Sequence, residues 1–163
     1  EIERSPRKRD IEAARDGGSL PAPSQDPTFG PWLAGEGGPG RRRIARLPED
    51  LAQAIDARVT SVQLSRQTAI KQVRKRPELD AARYDLVAPL LANGGAFRTR
   101  AGKLAFIGET ESGALWEAVV KATGEGGELL LVSLHRSRPE RRRSLARQGP
   151  RVRPERGFLD GGA

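Results

Sequence analysis

Near Asn93-Gly94-Gly95 the apolar residues change their spacing, and that change constrains the fold more than any other feature of the chain. Upstream the period is helical. Pro48-Glu49-Asp50 suits a first helical turn and is followed by the stripe Leu51, Ala54, Ile55, Ala57. Val59 to Leu64 alternates as a short extended segment, and Ser65 is placed to cap a helix over 66–76 that carries Thr68, Ile70 and Val73 and stops at Pro77. A further helix over about 80–91 buries Ala81, Tyr84, Leu86, Val87 and Leu90, with Pro89 shaping its last turn.

Downstream the period is two. Ala96–Arg100 and Lys103–Gly108 flank the turn Ala101-Gly102, and Leu115–Thr123 and Glu128–Arg136 flank Gly124–Gly127. Helices first and two hairpins after predict an α+β domain with N-terminal helices packed on one face of a roughly four-stranded antiparallel sheet. The other face is then free to meet a ligand. The flanks read as extended or disordered tails: an arm over 1–42, the domain over 43–145 and an Arg-rich tail over 146–163. Residues 1–16 could form a short charged helix, and 17–40 read as a Pro/Gly linker in which Phe29, Trp32 and Leu33 are suited to docking.

Composition narrows the chemistry. The 163 residues contain no Cys and one His, which excludes disulfides, thiol nucleophiles and Cys-ligated metals and argues against any His-built metal site. No cofactor is expected. No apolar run is long enough to span a membrane. Met is absent even at position 1, which reads as a piece of a longer chain. The net charge of +8 is concentrated C-terminally. Residues 47–135 are balanced, whereas nine Arg lie between Arg136 and Arg156 against Glu140 and Glu155. Such a tract, with Arg141, Arg142 and Arg143 at its centre, is either a solvated tail or an arm for polyanions. Cations on the helix after Ser65, among them Arg66, Lys75 and Arg76, are either a solvated helix face or a second contribution to that surface.

Parity supplies a candidate site. If Trp116 and Val120 share the helix-covered face with Leu130, Val132 and Leu134, then Glu117, Lys121, Ser133 and His135 fall on the opposite face. One register sets Glu117 opposite His135, and a two-residue slip sets it opposite Ser133. Carboxylate, imidazole, ammonium and hydroxyl are the groups that metal-free RNA cleavage uses: a base for the 2′-OH, an acid for the leaving 5′-oxygen, and cations for the phosphorane. His135 suits either proton-transfer role, with Glu117 its partner and Lys121 or Arg136 on phosphate. The alternative is the ordinary polar side of a half-buried sheet.

The runs LSRQTAIKQVRKRPELDAARYDLVAPLL, LAFIG and LWEAVVKATGEGGELLLVSLHR together resemble the phage-associated nuclease domains of the barnase/EndoU/colicin/RelE-like (BECR-fold) group, over about residues 62–136. The resemblance implies a metal-independent ribonuclease fold, found at the C-terminus of phage head-morphogenesis proteins or toxins. It places Lys121 and His135-Arg136 at functional positions. It further implies action in a virion or in host cytoplasm after delivery, on RNA or another nucleic acid, with phage portal or capsid proteins or an immunity protein as partners. Where that group often carries His, this chain has Gln67, Gln72 and Arg76. A copy that binds nucleic acid without cutting it, or a degenerate virion adaptor whose tails dock on other subunits, is the alternative.

Overall fold

The computed structural model describes residues 20–160, so the helix expected over 1–16 lies outside the described residues. Seven strands form one sheet: β1 (Arg41–Arg46), β2 (Ser61–Ser65), β3 (Gly95–Arg100), β4 (Lys103–Glu109), β5 (Leu115–Thr123), β6 (Glu128–Ser137) and β7 (Arg151–Arg153), in the order β1-β2-β6-β5-β4-β3-β7. The β2–β6 pair is parallel and the other pairs are antiparallel. Helices α1 (Phe29–Leu33), α2 (Glu49–Ala54), α3 (Arg66–Lys75), α4 (Ala81–Tyr84) and α5 (Val87–Asn93) precede or alternate with the early strands, and α6 (Arg141–Gln148) follows β6.

The α+β class holds, but the expected four-stranded antiparallel sheet is corrected to a seven-stranded mixed one. Two of the three additional strands share a cause. Arg41–Arg46 has only two apolar residues among four Arg, and Arg151–Arg153 has one between two Arg. Neither shows the alternation of a half-buried strand, because both run along sheet edges. The third addition, β2, is the short extended segment that led into α3.

The main core lies between the sheet and α1 to α5. Trp116, Ala118 and Val120 of β5 join Leu104 and Phe106 of β4, Val62 and Leu64 of β2, and the helical residues Leu51, Tyr84 and Leu90. Phe29, Trp32 and Leu33 are buried in this core, so residues 20–42 belong to the folded unit rather than to an extended arm. Ser65 caps α3 as its type and position require, its side chain accepting from the Thr68 N–H at 3.1 Å.

The second face is not free. Helix α6 lays Leu145 over Phe97, Ala105, Ile107 and Leu115, forming a smaller core. The segment expected as an Arg-rich tail then runs through β7 to Leu159, which is buried against the main core. Arg153 explains why this segment stays down. Its guanidinium is buried and donates to the carbonyls of Leu90, Leu91 and Gly94 at 2.7 to 3.1 Å, satisfying the end of α5. Burial, with help from Arg156, pushes its pKa down to about 10, which leaves it charged at neutral pH.

One irregularity sets side-chain parity on β6. Val119 faces Ser133 while Val120 faces Leu131, so Val132 is an extra residue. The core row is therefore Leu129, Leu131 and Leu134, not the expected Leu130, Val132 and Leu134. Gln72 of α3 holds the bulge: its Nε2 donates to Val132 O at 2.7 Å, and its Oε1 accepts from Leu134 N at 3.2 Å. The Tyr84 hydroxyl also donates to Oε1, at 3.4 Å.

Candidate functional site

On the far side of the bulge, Glu117 sits opposite His135 and Val119 opposite Ser133. His135 Nε2 lies 3.3 Å from Glu117 Oε1, with the imidazole 24% exposed and the carboxylate fully buried. Arg141 reaches down from the first turn of α6 and grips the carboxylate with two bonds, Nε to Oε1 at 2.7 Å and Nη2 to Oε2 at 3.0 Å. Ser137, at the end of β6, donates to Oε1 at 3.1 Å. Arg141 Nη1 is directed to Ser144 Oγ at 3.3 Å, so most of its fork is engaged within the protein.

These contacts decide the charge on the carboxylate. Burial by itself raises the Glu117 pKa, but hydrogen bonds from His135 and Arg141, together with their positive charge, outweigh it and hold the group at about 2. Glu117 is thus ionised at every physiological pH and does not exchange protons. With Nε2 facing the carboxylate, the lone pair of His135 falls on Nδ1, which is buried and has no hydrogen-bond partner.

The other expected site residues divide. Ser133 shares the face of Glu117 and His135, one strand step away. Lys121 shares it too, but four residues along β5 from Glu117 is about 13 Å, so the ammonium is not part of the same cluster. It stands exposed between Lys103 and Leu130. Arg136 faces the other way, its guanidinium 5.8 Å from the Trp116 ring centroid. There it lines a pocket of about 310 Å³ with Arg83, Trp116 and Asp160. On α3, Lys75 is exposed and Arg66 approaches Gly38 O at 3.4 Å. The charge of Arg76 is felt by buried Tyr84, whose hydroxyl is pushed up by burial to about 12 despite that charge.

Within the Arg tract, Arg142 is paired with Glu155, Nη2 to Oε1 at 2.9 Å, and with Glu109 at 3.3 Å, and those bonds raise its pKa. Arg143 is exposed. Sequence reasoning placed Arg141 in a polyanion arm and overlooked Ser137; both are partners of Glu117. The signal that could have located Arg141 is Pro139-Glu140, a helix start, followed one turn on by the apolar Leu145.

Among the described residues no cluster of three or more His, Asp or Glu is placed to hold a metal ion, and no helix is long and apolar enough to cross a membrane. No family model, curated protein or solved structure matches the chain.

Proposed function

We propose that the chain is a metal-independent endoribonuclease-like domain, acting on RNA by 2′-OH transesterification in a phage-particle or toxin setting. The observation that carries this reading is the contact of a part-exposed imidazole with a buried carboxylate that is ionised at physiological pH, 3.3 Å apart on one sheet face. His135 is the proton-transfer group. In this reading the bound strand uncovers Nδ1, which is buried in the free protein. That nitrogen takes the proton of the 2′-hydroxyl as the oxygen attacks the adjacent phosphorus and returns it to the departing 5′-oxygen, leaving a 2′,3′-cyclic phosphate and a 5′-hydroxyl. Glu117 orients the ring and stabilises the imidazolium formed between the two transfers. Arg141 and Ser137 hold Glu117 in place, so Arg141 is a positioning residue rather than a phosphate clamp.

Binding without cutting is the second reading, favoured by the enclosure of His135 Nδ1. The adaptor reading loses the apolar segment that suggested it, since Phe29, Trp32 and Leu33 are buried in the chain's own core. Labelled RNA incubated with the full chain and EDTA separates these readings. Cleavage to cyclic-phosphate ends is expected, falling at least about a hundredfold in His135→Ala. RNA left intact by a folded wild-type protein that still binds it overturns the catalytic reading in favour of binding.

A further inference from the structure

The pairing pattern places three cations side by side. Arg100 of β3 is opposite Lys103 of β4, and Lys103 is opposite Lys121 of β5. Directly opposed residues project from the same face, and neighbouring strands lie about 4.8 Å apart, so the row spans about 10 Å. Parity puts it on the face that carries Ala105, Ile107, Glu117 and His135. A bulge between Arg98 and Arg100 is what turns Arg100 toward this face.

Among the described residues, the side chains of the three make no hydrogen bond or ion pair. Glu128, which the register places on this face opposite Thr123, is already bonded to Arg41 and to Thr123. Opposed like charges oppose sheet pairing, so the row works against the stability of the free protein. Leu145 covers this face at Phe97, Ala105 and Ile107, leaving the row beyond it. Arg100 and Lys121 are exposed and Lys103 is half-buried.

We propose that Arg100, Lys103 and Lys121 form a subsite for consecutive phosphates of single-stranded RNA, separate from the His135 cluster and about 13 Å from it along β5. A line of cations at strand spacing suits a repeating phosphodiester better than the scattered carboxylates of an acidic protein. The absence of aromatic side chains from the row makes it a reader of backbone rather than of bases. The subsite deepens the proposed ribonuclease reading by naming where the strand is held, and it requires only binding, not cleavage.

The test uses a fluorescent 2′-O-methyl oligouridylate, which lacks the attacking hydroxyl, so anisotropy reads binding without turnover. The full chain is compared with Arg100→Gln/Lys103→Gln/Lys121→Gln and with a control of three exposed Arg outside the Arg tract and the row, Arg46→Gln/Arg83→Gln/Arg98→Gln. Loss of the row is expected to weaken binding about tenfold or more at low salt. It should also flatten the log affinity–log salt slope by about 2, the share of three phosphate contacts on a single strand. The thermal midpoint of the free protein at low salt should stay level or rise. Unchanged affinity in the folded row variant, or an equal loss in the control, overturns the subsite. Cleavage of unmodified RNA is scored separately: its absence in a wild type whose binding depends on the row defeats the ribonuclease reading alone, and its presence with row-independent binding defeats the subsite alone.

Discussion

Glu117 concentrates the residue-scale energetics of the molecule. A carboxylate with no exposed surface is tolerated only because Arg141 contributes two bonds, Ser137 a third and His135 a close imidazole. Its pKa falls from 4.5 to about 2 on folding, so its ionised form stabilises the native state. This contribution is complete above pH ~4.5, where the unfolded chain is also ionised, and is lost as the pH drops toward 2 and the folded group takes a proton. The size is on the order of 3 kcal/mol. Urea titrations should therefore show stability declining between pH ~5 and ~2, with a shallower decline in Glu117→Gln, whose remaining acid sensitivity belongs to other carboxylates. A Glu117→Gln profile as steep as wild type would remove the group from that role. That Glu117 and His135 share one surface was expected from alternation around Leu134, but the sequence left open whether Glu117 faces His135 or Ser133, and the pairing sets it opposite His135. Arg141 was not legible, because nine Arg in the last tract look alike until one of them is seen against a buried carboxylate.

At the scale of elements, Gln72 substitutes for a missing strand partner. Strand β2 pairs with β6 only at Val62–Gln63 against Leu129–Leu130, and beyond that point the Gln72 amide bonds the β6 backbone on both sides of Ser133. Replacing it by Leu keeps the volume and orphans a buried C=O and N–H. Gln72→Leu should lower stability by about 2–3 kcal/mol in chemical denaturation, whereas a loss below about 0.5 kcal/mol would mean that the bulge holds itself. Strand bulges leave no trace in an alternating pattern. Leu129, Leu130, Leu131 and Val132 are four apolar residues in a row, so either parity reads equally well, and only the amide of Gln72 settles which residues turn inward. The same ambiguity did not affect β4 and β5, where the expected strands were found within a residue of their positions.

For the molecule as a whole, the described parts of the two segments read as tails, 20–42 and 146–160, contribute to the core. Their apolar residues are few, and their Gly, Pro and Arg content conceals them. Phe29, Trp32 and Leu33 close one side, with ring contacts from Phe29 to Trp32 and Tyr84 at 5.8 Å. Burying such side chains contributes about 1.5–3 kcal/mol each, a sum comparable with the entire stability of many domains. A fragment beginning at residue 43 should therefore fail to unfold cooperatively on heating, while the full chain melts in a single sharp transition; cooperative melting of the fragment would show those contacts to be dispensable. Burial of Arg153 under the end of α5 has a further consequence, for synthesis on the ribosome. The carbonyls of Leu90, Leu91 and Gly94 must wait for a guanidinium some sixty positions later in translation. Glu117 likewise waits for Arg141. Nascent chains halted before that point hold a carboxylate without its counter-ion and a helix end without its donors, so the Glu117–His135 cluster comes into being only after the strands that frame it have left the exit tunnel.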